Sequence, residues 1–199
     1  MALSAAQQKA QENRDTIFVE DGEVVSVDAF AGEQFVMRIR AAKCAAEAEP
    51  GSFVHLTCDQ SLPMRRPLSI MRTDGDCIDV LYKIVGDGLR LLSRKKPGDV
   101  LSVLGPIGRP FAFHEERSNT LLIGGGVGIP PMVFIADRLR RQAAKWRPFA
   151  ILGSEIPFPF ELRASRLDVP GMPPEISSTM PLLESWGVPA RLTSLQGYD

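Results

Sequence analysis

The segment Thr120-Leu121-Leu122-Ile123-Gly124-Gly125-Gly126-Val127-Gly128-Ile129-Pro130-Pro131-Met132 decides how the chain is read. Its opening residues form a continuous apolar run, the pattern of a parallel strand buried on both faces. The glycines then turn the chain, and Pro130-Pro131 suits the first turn of a helix, where a missing N–H costs nothing. Met132, Ile135, Ala136, Leu139 and Ala143 recur at helical spacing. Arg140, Arg141, Lys145 and Arg147 collect near the end, where the macrodipole favours cations. Residues 149–152 supply the next strand and complete a βαβ unit of right-handed crossover type. A helix over 179–186 and a strand over 190–194 suggest a second unit. A doubly wound domain usually has about five or six parallel strands; with three, this sheet is expected to be incomplete. The Pro-rich connection over 154–174, which holds Phe158 and Phe160, is long enough to read as a functional or mobile loop.

Gly126-x-Gly128-x-x-Pro131 is a variant of the dinucleotide fingerprint with proline in the third place. Together with Gly124 and Gly125 it lets the backbone approach a pyrophosphate, while the helix start presents unpaired N–H groups at the positive end of its dipole. A tight turn without a ligand is the alternative, and the strand and helix flanks favour phosphate. Glu155 stands just past the next strand, where an acid can accept hydrogen bonds from an adenosine ribose and repel a 2′-phosphate; a solvated loop acid is the plainer reading. Arg163 and Arg166 could instead meet that phosphate. NAD and NADP therefore both stay open.

Outward toward the N-terminus the pattern changes to short strands, at 24–27, 34–39, 52–58, 68–71, 77–85 and 100–104, bounded by Gly, Pro and Asp. Phe35 to Arg40 alternates apolar and other residues, so that strand faces a core on one side. Asp74-Gly75 is a hairpin signal, because glycine accepts the positive φ of a tight turn. Six such strands in about a hundred residues suggest a small antiparallel barrel. In Arg66-Pro67-Leu68-Ser69, proline holds Arg66 extended, which sends Arg66 and Leu68 to one face and Pro67 and Ser69 to the other. A guanidinium suits a diphosphate and a short hydroxyl suits a ring nitrogen, against the alternative of an edge strand with solvated arginines. Leu81-Tyr82-Lys83 runs through Gly86-Asp87-Gly88-Leu89 into a short helix, again aiming N–H groups at an anion, with Tyr82 as an aromatic face or as core filling.

The charge balance of 23 Lys and Arg against 24 Asp and Glu gives no general attraction to nucleic acid or anionic membranes. No apolar run approaches the ~20 residues that span a bilayer, and the polar first residues lack a signal-peptide core, so the expected compartment is the cytoplasm. Cys44, Cys58 and Cys77 are widely spaced and form no CxxC pair, so they read as buried thiols; His55 and His114 read as structural. No metal site is expected.

In this order and spacing, Arg66-Pro67-Leu68-Ser69, Leu81-Tyr82-Lys83, Gly86-Asp87-Gly88-Leu89, Leu104-Gly105-Pro106-Ile107-Gly108-Arg109-Pro110-Phe111 and Gly124 to Met132 resemble the ferredoxin reductase superfamily. Within it, they look most like the electron transfer subunits of dihydroorotate dehydrogenase. The likeness runs from about Glu23 onward. It implies an FAD-binding β barrel at 16–115 followed by a partial NAD(P)-binding α/β domain at 116–199, with the flavin at their junction. It implies that Arg66, Pro67, Leu68 and Ser69 line the FAD, Ser69 near the ring and Arg66 near the phosphates. Leu81, Tyr82 and Lys83 would contact the cofactor from the adjoining strand, and Gly88 and Leu89 would bind its pyrophosphate through backbone N–H groups. Leu89 replaces the family's usual threonine, losing a hydroxyl but keeping the backbone donor. Gly124, Gly125, Gly126, Gly128, Pro131 and Glu155 would serve the pyridine nucleotide. No side chain need act as acid or base, since the flavin carries the chemistry.

The family continues through further strands, a Cys-Gly-Pro turn and a cysteine cluster holding a [2Fe-2S] centre; none of these is found in the 199 residues. Four thiolates are normally needed, so no cluster is expected in this chain, which reads as a truncated or degenerate relative. The resemblance implies electron transfer between FAD and NAD(H) and onward to an iron-sulfur centre and a catalytic dihydroorotate dehydrogenase subunit, in pyrimidine synthesis. Two alternatives remain: a stand-alone NAD(P)H-dependent flavin or ferredoxin reductase, and a non-catalytic interaction module binding protein through an exposed loop around Phe158 and Phe160.

Overall fold

A computed structural model describes residues 16–197. Six strands, β1 (Phe18–Phe30), β2 (Gln34–Arg40), β3 (Phe53–Leu56), β4 (Arg66–Asp74), β5 (Cys77–Lys83) and β6 (Val100–Ile107), close into an antiparallel barrel in the order β1-β2-β5-β4-β3-β6. Alternation explains the interior. On β5, Ile78, Val80 and Tyr82 point inward, while Asp79 and Leu81 point out of the barrel. The Asp74-Gly75 hairpin joins β4 to β5 with Asp74 opposite Cys77, and Gly75 has φ +59°. Two short helices sit against the barrel: α1 (Ala42–Glu47), which buries Cys44 and Ala45, and α2 (Gly86–Leu92), which buries Leu92.

β1 is 13 residues long, well beyond the expected 24–27. Glu20, Asp21 and Glu23 disguise it, yet it pairs with β2 on one side and β6 on the other, and Glu23 forms an ion pair with Arg40 of β2. β6 likewise runs on to Ile107, whereas β3 and β5 stop two residues short of the expected ends.

β7 (Asn119–Gly125), a 3-10 turn at Gly126–Gly128, α3 (Ile129–Arg140) and β8 (Arg147–Gly153) form the parallel βαβ unit. The helix ends at Arg140, so Ala143 falls in the turn beyond it. Beyond β8 come a two-residue hairpin of β9 (Arg163–Ala164) and β10 (Ser178–Thr179), then α4 (Pro181–Ser185) and β11 (Ala190–Thr193). The three-stranded parallel sheet has the order β11-β8-β7. Among the described residues it is covered on one face only. Leu122, Ala150 and Leu192 are buried, whereas Leu121 and Ile123 are 55% and 66% exposed, so the expectation of a strand buried on both faces is corrected. The run is continuous in sequence, but helices pack on one side of the strand alone.

The two halves share side chains. Phe134 of α3 enters the barrel core, and Met71 and Leu81 of the barrel's outer surface join the core beneath the sheet. Phe158 is 5% exposed and stacks obliquely on Phe160 at 5.3 Å, both packed into that second core. The exposed aromatic loop expected there is thus an internal anchor.

Candidate functional site: a glycine-walled cleft between barrel and sheet

The carboxyl ends of β7, β8 and β11 face the end of β5 across a cleft of about 650 Å³. Open parallel sheets take their ligands at this end, because helix N-termini and strand-end loops converge there. Gly125, Gly126 and Glu155 form one wall and Leu81, Tyr82 and Lys83 the other, so six of the residues singled out in the sequence meet in one space. Lys83 and Glu155 are exposed, on opposite walls. A second cavity, of about 430 Å³, opens beside Trp146, Trp186 and Pro189 at the other end of the sheet. It lies away from the glycine turn and the strand ends, so the cleft is the better site.

The glycines divide by role. Gly126 has φ +51°, open to glycine without strain, and a Cβ on Gly126 or Gly128 would meet nothing within 4 Å, which leaves the backbone accessible. Gly124 is a packing glycine: a Cβ there would fall 2.7 Å from the Gly128 carbonyl oxygen and from Met132 Cγ. Pro130 and Pro131 lie in the first turn of α3 and carry no N–H. The Ile129 N–H is itself taken by the Gly126 carbonyl, so the donors left to the cleft's mouth are those of the 3-10 turn.

Arg66, Pro67, Leu68, Ser69, Gly88 and Leu89 form a neighbouring group at the barrel rim. The Arg66 guanidinium lies directly on Gly88: a Cβ at Gly88 would come 2.8 Å from Arg66 Nε. That guanidinium donates to the Met64 carbonyl at 2.9 Å and more weakly to that of Arg65, and among the described residues no acid pairs with it. Burial pushes the Cys58 thiol up, with the Asp59 charge adding to it, and the charges of Arg66 and Lys95 pull it partly back. Leu68 points into the barrel, Pro67 is exposed and Ser69 is half-buried. Tyr82 is core filling, not a face beside α2: its ring stacks on Phe35 at 5.6 Å and its hydroxyl is buried without a partner. Burial, then the nearby Cys58, drives the phenol's ionisation upward.

The cysteines are three buried free thiols, Cys44 in α1, Cys58 in the loop after β3 and Cys77 at the start of β5. Burial, with the Glu20 charge adding to it, pushes Cys44 up to about 12, the state of an inert structural thiol. Sequence reasoning missed Gln34, Ser154, Ile156, Thr193 and Leu195, which also line the cleft. The strand-end position of Ser154 and Thr193 was a usable signal; Gln34 had none.

A closed barrel, a parallel sheet on its flank and a glycine-walled cleft between them define the ferredoxin-reductase-like class of flavoprotein fold. In sequence, the chain is similar to the electron transfer subunit of dihydroorotate dehydrogenase B (NAD(+)) from Desulforamulus reducens, 36% identical over 124 residues, 60% of this chain and 47% of that one. The subunit of the same name from Listeria monocytogenes serotype 4b is 43% identical over 103 residues, 49% of this chain and 40% of that one. The chain spans about half the length of the curated relatives it matches, or less. Among solved structures, an NADH-dependent reduced ferredoxin-NADP oxidoreductase studied for flavin-based electron bifurcation superposes with a TM-score of 0.67 at 26% identity, over 87% of this chain and 56% of that one. A ferredoxin reductase in carbazole 1,9a-dioxygenase gives 0.60 at 25% identity, over 70% and 43%. No protein-family model matches the chain. No helix among the described residues is long and apolar enough to cross a membrane.

Proposed function

We propose that residues 16–115 hold FAD and that residues 116–199 present a pyridine nucleotide to it, making the chain an electron transfer module of a dihydroorotate dehydrogenase. The observation that carries this reading is the Arg66–Gly88 contact. An arginine without an acidic partner lies on a glycine whose missing Cβ leaves it room, one strand away from the cleft. Bound flavin supplies the chemistry, exchanging a hydride with nicotinamide and single electrons with a one-electron centre. The chain's own residues bind and orient. Arg66 offers its fork to the diphosphate, with Gly88 and Leu89 adding backbone donors. Leu68 and Ser69 on β4, with Pro67 beside them, and Leu81 to Lys83 on β5 supply a rigid two-strand wall. Gly125, Gly126 and Gly128 present backbone to the second pyrophosphate, while Gly124 and Pro131 fix the turn into α3. Glu155, at the end of β8, takes the adenosine ribose and favours NAD.

The same reading places a [2Fe-2S] centre outside this chain's three buried thiols and electron delivery to or from a catalytic dihydroorotate dehydrogenase subunit, in the cytoplasm. Incubating the protein with FAD, removing the excess and titrating anaerobically with NADH tests it. A yellow protein bleached by NADH is expected; a colourless one overturns the reading. Arg66→Ala should weaken FAD binding by about 1.5–3 kcal/mol in a fluorescence titration, the usual contribution of a charge-assisted contact. Unchanged affinity would place the diphosphate elsewhere.

A further inference from the structure

Gln34 is the first residue of β2 and sits opposite Lys83 of β5, on the barrel wall of the cleft. It is 7% exposed, and its side-chain amide donates to two carbonyl oxygens: Ala31 at 3.0 Å within its own turn, and Pro157 at 2.6 Å in the connection after β8. Both partners are pure acceptors, so the amide can face only one way. The second bond joins positions 123 apart in the chain and ties the barrel to the segment that carries Glu155. Ile156 closes the same joint from the other side. Its Cδ1 would lie 3.0 Å from a Cβ at Gly32, where φ is +73°.

The turn that presents Gln34 is itself held in a costly conformation. Glu33, with φ +57°, is the one non-glycine residue at positive φ among the described residues. Such strain persists only where the surroundings over-determine it. Here they do. The Glu33 carbonyl accepts from the Ile84 N–H at 2.9 Å, just past β5, and its carboxylate reaches Arg90 of α2 at 3.6 Å. One turn therefore touches the end of the flavin-side strand, the short helix beside Arg66, and the loop on the nucleotide side.

We propose that Gln34 is a positioning residue: by clasping Pro157 it fixes the loop after β8 against the barrel and so sets the span of the cleft across which nucleotide and flavin meet. This rests on the flavin and nucleotide sites proposed above. Reaction geometry is steep in distance, and a misplacement of about 1 Å can lower a rate by about a hundredfold. A clasp at the cleft wall governs that distance without touching the reacting atoms.

Gln34→Glu tests it, because the change keeps the shape and replaces both donors by an acceptor facing two carbonyls. In the FAD-loaded full chain, FAD affinity should stay within about twofold, while bleaching by NADH slows about tenfold to a hundredfold. Bleaching by dithionite, which needs no nucleotide site, should be unchanged. Amide hydrogen exchange across residues 155–160, read with or without FAD, should quicken about tenfold as the loop comes free. Unaltered NADH bleaching together with unaltered exchange overturns the proposal. Wild-type protein that holds FAD but is not bleached by NADH removes the functional reading alone, and exchange then decides the clasp. Should Gln34→Glu fail to fold, Ile156→Ala loosens the same joint from the loop side and is judged by the same measurements.

Discussion

Gly124 and Gly128 lie four positions apart and do opposite things. At Gly124 a methyl group would press on a backbone carbonyl, which cannot swing aside, so Gly124→Ala should destabilise the fold by about 1–3 kcal/mol in urea denaturation. At Gly128, φ is −86° and no atom lies within 4 Å of a built Cβ, so Gly128→Val should leave the denaturation midpoint unchanged while weakening NADH binding. Loss of stability in both variants would mean the turn is structural throughout. The sequence marks all of these glycines alike, because a fingerprint records where backbone must be bare but not what approaches it. The sequence offers Arg66 and Gly88 as separate candidates for a phosphate; that one rests on the other depends on how α2 settles on the barrel rim.

α3 shows what periodicity reports and where it stops. The spacing of Met132, Ile135, Ala136 and Leu139 identifies the helix and its sheet-facing stripe. It says nothing of Phe134, which leaves that stripe and enters the barrel core. The helix is buried on two sides, against the sheet and against β4, so its apolar surface is wider than one stripe. Phe134→Ala should cost about 3–5 kcal/mol, the range for an emptied aromatic site. Calorimetry should show it as a single lowered transition for barrel and sheet together. Two separated transitions would mean that the halves fold independently despite their shared side chains.

Across the whole molecule, the parallel sheet is covered on one face and the barrel is closed. Replacing Leu121 by Ser and Ile123 by Thr should change stability by no more than about 0.5 kcal/mol each, because both side chains already stand in solvent. A loss of several kcal/mol, measured by thermal denaturation, would restore the buried-strand reading that the apolar run suggests. The three-stranded parallel sheet, the cleft's position at its carboxyl ends and the electron-transfer reading all follow from motifs whose order along the chain is specific even though each alone is weak.

The sequence by itself determined the barrel strands, the βαβ unit, the glycine turn and six of the residues at the cleft, because alternation, helical spacing and positive-φ turns are written within a few neighbouring residues. Only the tertiary structure decided which sheet face stays open, that Phe158 is an internal anchor, and that Gln34 reaches Pro157. Those outcomes join surfaces distant along the chain, and their fit depends on the shape of both partners at once, a quantity no local pattern contains.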